Sequence, residues 1–121
     1  MNRPIDNNYI SKNRYYELRY FCRQYHEWVK EKNEMKIFPD GDFSQNLSDP
    51  TGETATKLAV LSYKIDAVDK CIDEVAPEIG DWLKESVTNG KGYNNLVDVP
   101  CSKEYFYVRY KAFFSRLNNS V

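Results

Sequence analysis

The stretch GYNNLVDVPCSKEYFYVRYKAFFSRL, residues 92–117, decides how the chain is organised. Its first apolar residues, 93–97, predict one or two helical turns, and residues 98–100 predict a turn because the position before a proline disfavours helix. Ser102 is a suitable N-cap for a last helix. Apolar residues recur along that helix at helical spacing: Phe106, Tyr110, Phe113, Phe114 and Leu117. This order of elements is that of a helix-turn-helix.

The outer face of the last helix carries polar and basic residues. A recognition helix needs this arrangement, with one face held to the domain and early outer residues at base edges. Charged residues at the rim of the apolar stripe are better placed for phosphates. The residues predicted to bind DNA are Ser102, Lys103, Tyr107 and Lys111 at base edges, and Arg109 and Arg116 at phosphates. The same elements also end many all-α domains that bind no DNA, so a purely structural role stays open.

The N-terminal part predicts one helix and one long loop. Residues 1–10 are polar and predict a loose lead-in, after which Ser11 can cap a helix over about residues 11–33. The apolar stripe of that helix consists of Tyr15, Leu18, Phe21, Cys22, Tyr25, Trp28 and Val29. Residues 34–50 have no helical period and predict a loop, in which a β-hairpin at residues 40–41 is a weaker alternative.

Two further helices are predicted in the middle of the chain. Asp49 and Pro50 suit the N-cap and first position of a helix that runs to about Asp73. Its stripe is heptad-like and indicates a buried bundle face, or alternatively a dimer seam: Leu58, Leu61, Ile65, Val68 and Ile72. The next helix starts at Pro77, and residues 89–90 (Asn-Gly) end it. We therefore predict an all-α fold of four or five helices in one domain, with residues 11–88 as its core.

Length and composition favour a folded cytoplasmic protein. With 121 residues, 41% hydrophobic and 15% aromatic, the chain has too much apolar mass for a disordered protein. No apolar run approaches a membrane span, and no signal-peptide pattern opens the sequence. The three cysteines, Cys22, Cys71 and Cys101, are odd in number and widely spaced, which favours free thiols in a reducing compartment.

The charge distribution supports a second hypothesis. The formal net charge is −1, whereas a dedicated DNA-binding domain is usually basic. Residues 66–85 carry a local charge of −5, and residues 91–121 carry +3. The alternative to DNA binding is therefore a protein-interaction module, which binds RNA polymerase or a host protein through the acidic 66–85 face. The partner-binding residues of this alternative are Asp66, Asp69, Asp73 and Glu74.

Three segments together resemble a family of small regulators. They are RYYELRYFCRQYHEW (residues 14–28), DPTGETATKLAVLSYKIDAVDKCID (49–73) and VPCSKEYFYVRYKAFFSRL (99–117). In this order they resemble transcriptional regulators from phages and prophages of Gram-positive bacteria, of the autolysin-regulator and late-gene-activator type (ArpU/RinA-like). The C-terminal ends of that family resemble region 4 of sigma-70 factors. The resemblance implies an all-α protein with a C-terminal helix-turn-helix that acts in phage gene regulation. A motif of this kind commonly binds duplex DNA as a symmetric pair, so a homodimer is a further expectation.

No pattern of catalysis or cofactor binding is present, and we expect neither an enzyme nor a metal or cofactor site. Cys22 and His26 are four residues apart, so they could share a helix face as nucleophile and base or as two metal ligands. More often, such a pair is a core cysteine beside a half-exposed histidine. Gly90 and Gly92 lack the following Lys-Ser/Thr pair of a phosphate loop. The tyrosines and arginines of residues 9–25 could stack on single-stranded bases, but aromatic stripes more often lie in a core.

Overall fold

A computed structural model describes residues 10–36 and 52–121 of the chain. Within these two ranges the protein is all-α, as predicted. The described residues form five α-helices: α1 (Lys12–Arg23), α2 (Tyr25–Lys36), α3 (Gly52–Val75), α4 (Gly80–Asn89) and α5 (Lys103–Ser120). Two single 3-10 turns, Pro77–Ile79 and Tyr93–Asn95, precede α4 and follow it. None of these helices is both long and apolar enough to cross a membrane.

The first predicted helix is interrupted at Gln24, which is a correction to the prediction of one helix over residues 11–33. Ser11 caps its start as expected, accepting from the Arg14 N–H at 3.2 Å. At Gln24 the backbone N–H donates to Phe21 O, while the side-chain amide donates to Tyr20 O at 3.2 Å. The side chain therefore takes the carbonyl that a regular helix would pair with the Gln24 N–H. The second part, α2, then continues to Lys36, three residues beyond the expected end.

The expected loop and the start of the next helix fall mostly outside the described residues. Residues 34–36 belong to α2, whereas the hairpin at residues 40–41 and the cap at residues 49–50 lie outside the described ranges. Helix α3 ends at Val75, two residues later than predicted. Its stripe is buried within the domain, fully at Leu61, Ile65, Val68 and Ile72 and partly at Leu58.

The core forms where α5 meets the other helices. The stripe of α5 is buried at four of the five predicted positions, Phe106, Phe113, Phe114 and Leu117, and Tyr110 is half-buried. Burying a side chain of this size stabilises the fold by about 1.5–3 kcal/mol. Helix α1 packs against α4 and α5, while α2 packs against α3. Gln24 therefore separates the part of the chain that contacts α5 from the part that covers α3.

The connection from α4 to α5 is where the helix-turn-helix was predicted, and that motif is not confirmed. Gly90 ends α4 with a positive φ of 74°, as the Asn-Gly pair predicted. The first helix of the motif is reduced to the 3-10 turn Tyr93–Asn95, because Leu96 is already extended. Trp82 Nε1 donates to Val97 O at 2.9 Å, which ties the following turn to α4. Ser102 then caps α5, accepting from the Tyr105 N–H at 3.1 Å.

Candidate nucleic-acid interface

A basic groove lies between α1, α5 and the connection after α4. Its volume is about 1230 Å³, and it is open to solvent along one side. The basic residues that line it come from all three parts of its wall: Lys12, Arg19, Arg23, Lys91 and Lys111. No Asp or Glu is among the described residues that line it. In a chain with a net charge of −1, this is a strong local concentration of positive charge.

Most of these cations have no carboxylate partner. Lys91 is the exception, with its Nζ 2.7 Å from Glu85 Oε2 at the rim of the groove. Lys12, Arg23 and Lys111 are exposed and make no ion pair with any residue that the structure describes. Arg19 is half-buried and lies over the ring of Tyr15, with its Cζ 5.6 Å from the ring centroid. Four positive charges are therefore available to an anionic ligand.

Gly90 brings Arg23 to the wall of the groove. A Cβ atom at this position would lie 2.7 Å from Arg23 Nη1. The guanidinium thus rests on the bare backbone of Gly90, at the C-terminal end of α4, where a positive charge is favoured by the helix dipole. Glycine serves two purposes here, because the positive φ of 74° is also a conformation that other L-residues rarely adopt.

Three tyrosines, Tyr15, Tyr107 and Tyr110, line the groove. The hydroxyls of Tyr15 and Tyr110 are 2.9 Å apart and share a hydrogen bond between α1 and α5. Burial, together with this hydrogen bond, raises the pKa of Tyr110 well above its ordinary value of 10.0. A phenol is neutral at physiological pH even at its ordinary pKa, and the shift favours the neutral form further.

Tyr107 presents a hydrogen-bond donor to the groove. Its hydroxyl accepts from the backbone N–H of Tyr93 at 3.0 Å. Its own proton has no acceptor among residues 10–36 and 52–121. The Tyr107 ring is held edge-on between Phe106 and Tyr110, with centroid distances of 5.3 and 5.5 Å. A rigidly held phenol with a free O–H is suited to hydrogen-bond a phosphate oxygen.

Of the six residues predicted to bind DNA, the structure brings Tyr107 and Lys111 together in the groove. Lys103 is exposed in the first turn of α5, outside the groove wall. Ser102 is exposed as well, but its hydroxyl oxygen is occupied as the N-cap of α5. These two positions remain accessible at the N-terminal end of the helix, where a recognition helix commonly contacts bases.

The two arginines predicted at phosphates are engaged elsewhere in the fold. Arg109 lies over the ring of Tyr105 at 5.1 Å, and its Nε is buried with no hydrogen-bond partner among the described residues. Arg116 Nε donates to Glu74 Oε1 at 2.8 Å, which joins α5 to α3. Neither arginine lines the groove.

The acidic surface divides into paired and unpaired carboxylates. Asp69 accepts from the Tyr25 hydroxyl at 2.9 Å and lies 3.0 Å from Lys84 Nζ. Glu74 is paired with Arg116. Asp66 and Asp73 are exposed and make no ion pair within the described part of the chain. Half of the predicted partner-binding residues therefore hold the helices together.

Three cations of α1 line the groove but were not among the residues predicted to bind duplex DNA. Lys12, Arg19 and Arg23 follow each other at steps of seven and four residues, so they lie along one side of α1. That spacing is visible in the sequence. What the sequence does not show is that α1 packs against α5, which places these cations beside Lys111.

The candidate catalytic and metal-binding residues do not form a site. Cys22 is buried in the core, and burial raises the pKa of its thiol far above the ordinary value, whereas His26 is exposed. A buried neutral thiol is a poor nucleophile and a poor metal ligand. Among the residues described, no three His, Cys, Asp or Glu side chains lie close enough together to hold a metal ion.

Comparisons with known proteins do not identify a relative. No protein-family model, no curated protein and no solved structure matches the chain. The functional argument therefore depends on the groove and on the residues that line it.

Proposed function

We propose that this protein binds duplex DNA through the basic groove and acts as a transcriptional regulator of the phage or prophage type. The observation that carries the proposal is the composition of the groove wall, which has five cations and no carboxylate. Duplex DNA is the ligand that such a surface suits best, because it presents one negative charge per about 1.7 Å of its length. The resemblance of residues 99–117 to regulators with a C-terminal recognition helix supports the same function.

The position of α5 suits insertion into a major groove. Phe106 and Phe113 anchor the inner face of α5 in the core. The opposite face of the helix is therefore held in one orientation toward the solvent. An α-helix fits the major groove of B-DNA, which is about 12 Å wide. The cations of α1 would then contact phosphates beside the inserted helix, while Lys111 and the N-terminal residues Ser102 and Lys103 face the bases.

The proposal does not depend on a complete helix-turn-helix. In that motif the first helix positions the recognition helix and contacts the DNA backbone. Here α5 is positioned by its aromatic face, by the hydroxyl bond between Tyr15 and Tyr110, and by the cap at Ser102. The cations of α1 provide the backbone contacts instead.

The test is binding to a random-sequence duplex, measured by fluorescence anisotropy at about 50 mM and about 200 mM salt, because the phosphate contribution is salt-dependent and needs no specific sequence. The groove variant is Arg19→Ala/Arg23→Ala/Lys111→Ala. The matched control is Lys30→Ala/Lys32→Ala/Lys70→Ala, which removes the same charge from positions that do not line the groove.

The wild type and the control should bind with a steep dependence on salt. Each lost phosphate contact lowers the slope of log K against log salt by about 0.9, so the groove variant should lose a slope of about 2–3 and bind at least about tenfold more weakly. Equal losses in the two triple variants would show that total charge, and not the groove, binds DNA. Absence of binding at the lower salt concentration would contradict the proposal.

The second hypothesis, a protein-interaction module, is supported by Asp66 and Asp73 alone. They are exposed and make no ion pair with any described residue, and because they are seven residues apart they lie on the same side of α3. In the same binding experiment Asp66→Asn/Asp73→Asn should leave DNA affinity unchanged or raise it slightly. If the wild type binds no DNA, this variant tests the alternative, because a protein partner with a basic surface should bind it more weakly than the wild type.

A further inference from the structure

Val108 is an apolar residue in an unusual place. Its side chain is 59% exposed, and it lines the basic groove on the outer face of α5. The other large apolar residues that are exposed lie outside the groove: Tyr16, Tyr20, Val60, Tyr63, Val97 and Val121. Within the described residues, Val108 is therefore the exposed aliphatic side chain that a ligand in the groove would meet.

The fold itself does not explain Val108. It is absent from the core cluster and from the half-buried residues that pack against that cluster. A β-branched residue also has a lower helix propensity than the Lys or Arg that commonly occupy an exposed helix position. A single exposed valine is ordinary on a protein surface. This one lies in a groove with four cations that have no ion-pair partner among the described residues, and it stands one helical turn before Lys111.

We propose that Val108 contacts the 5-methyl group of a thymine in the major groove of duplex DNA, while Lys111 donates to a guanine at a neighbouring position. This inference rests on the proposed function and adds to it a sequence preference and the residues that cause it. Thymine is the one base that presents a methyl group in the major groove, and guanine presents two acceptors there, O6 and N7. An aliphatic side chain beside an ammonium group matches that pair of base edges.

The spacing of the two residues agrees with neighbouring base pairs. Residues three apart on a helix have Cβ atoms about 5–6 Å apart, and adjacent base pairs are about 3.4 Å apart along the duplex. Val108 and Lys111 therefore reach bases one or two steps apart. Ala112, which lines the groove next to Lys111, leaves room for the bases to approach the helix.

The experiment begins with selection of binding sites from a random duplex library by the wild-type protein. The affinity of the selected duplex is then compared with that of copies in which each thymine in turn is replaced by deoxyuridine, which removes only the 5-methyl group. The same comparison is made with Val108→Ala and with the matched control Val97→Ala, whose side chain is 74% exposed outside the groove.

One thymine should be sensitive to the replacement in the wild type. Loss of its methyl group should weaken binding about threefold to fivefold, the size expected for burying one methyl group. Val108→Ala should bind the thymine and deoxyuridine duplexes equally, whereas Val97→Ala should keep the wild-type difference. Lys111→Ala should lose preference for a guanine one or two positions from that thymine.

Failure of this inference can be distinguished from failure of the proposed function. If the wild type binds duplexes but selects no site, or if no thymine is sensitive, Val108 does not read a methyl group and DNA binding still stands. The same conclusion follows if Val108→Ala keeps the discrimination. If no duplex is bound, or if single strands are bound more tightly than duplexes, both the inference and the proposed function are overturned.

Discussion

The surface of α3 and the basic groove differ in what their charges contact. On α3, Asp69 and Glu74 accept hydrogen bonds from residues of other helices, Tyr25 and Arg116. In the groove, exposed cations such as Lys111 have no carboxylate partner among the described residues. Charges that hold helices together are paired within the fold, and charges that are left unpaired in a concave surface are available for a ligand. Mutations on the two surfaces should therefore affect different properties.

The largest effect on stability is expected at Asp69. In Asp69→Ala the Tyr25 hydroxyl loses its carboxylate acceptor and the Lys84 ammonium loses its ion pair, although Lys84 still lies over the Tyr25 ring. The free energy of unfolding should therefore fall by about 1–2 kcal/mol. The measurement is urea unfolding followed by circular dichroism. The control, Asp66→Ala, removes from the same helix a carboxylate that has no ion-pair partner in the described part of the chain, and it should change stability by less than about 0.5 kcal/mol. Equal losses would show that the pairing of Asp69 does not matter.

Gly90→Ala should have an effect of similar size. A left-handed conformation costs an L-residue about 1–2 kcal/mol, and Gly90 has a φ of 74°. The new Cβ would also displace the Arg23 guanidinium from the groove wall, which should weaken DNA binding. Gly92→Ala is the control, because Gly92 is extended and its Cβ would meet Tyr107 Oη at an ordinary 3.4 Å. Thermal unfolding compares the two variants, and an unchanged midpoint in Gly90→Ala would contradict the prediction.

Variants of Arg116 and Lys111 test the same difference within a single helix, because α5 carries one cation paired with α3 and one that lines the groove. Arg116 is paired with Glu74, so Arg116→Ala should lower the free energy of unfolding by about 0.2–1 kcal/mol and leave DNA affinity nearly unchanged. Lys111→Ala should do the reverse, with a stability change within about 0.5 kcal/mol and a measurable loss of DNA affinity. Urea unfolding and fluorescence anisotropy are measured on both variants. The comparison fails if Arg116→Ala reduces DNA affinity more than Lys111→Ala does.

The smallest expected effect is a change in how the free energy of unfolding depends on pH, and it involves Glu78. The Tyr105 hydroxyl donates to its carboxylate, and this bond, helped by the nearby Arg109, holds the pKa of Glu78 below its ordinary 4.5. A carboxylate whose pKa is lower in the folded state stabilises the protein above its unfolded pKa, and the contribution disappears as the pH falls through the folded pKa. The stability difference between wild type and Tyr105→Phe should therefore shrink from about pH 5 to about pH 3.

Tyr93→Phe is the control for this prediction. The Tyr93 hydroxyl donates to the Cys101 carbonyl at 2.5 Å, and a backbone carbonyl does not titrate in this range. The effect of Tyr93→Phe on the free energy of unfolding should therefore stay constant over the same pH interval. A difference for Tyr105→Phe that also stays constant would show that Glu78 is not the group responsible.

Local signals in the sequence predicted the elements well. The N-caps Ser11 and Ser102, the C-terminal Gly90 and the aromatic stripe of α5 are all confirmed, because each depends on residues within a few positions of each other. The interruption at Gln24 was missed because it depends on a side chain that competes with its own backbone, which helical periodicity does not reveal.

The groove could not be predicted because it depends on distant parts of the chain. Lys12 and Lys111 are almost the whole sequence apart, and they line the same groove because α1 packs against α5. Arg116 was predicted at a phosphate for the same reason, because its partner Glu74 lies on another helix and the sequence does not show that the two helices meet. Net charge does not reveal the groove either, because it sums the acidic residues of 66–85 and the cations of the groove into a single value near zero.

The hydrogen bond from Trp82 to the Val97 carbonyl gives the protein a built-in optical reporter. Trp82 is half-buried and is bonded to the turn that leads into α5, whereas Trp28 is 5% exposed and packs against Phe21 on another side of the domain. Indole emission depends on the polarity around the ring and on the hydrogen bond of its N–H. In the Trp28→Phe variant, Trp82 is the one remaining tryptophan. Its emission spectrum would therefore report on the turn before α5 without an added dye. Movement of α5 when a ligand enters the groove would then be visible as a change in emission wavelength.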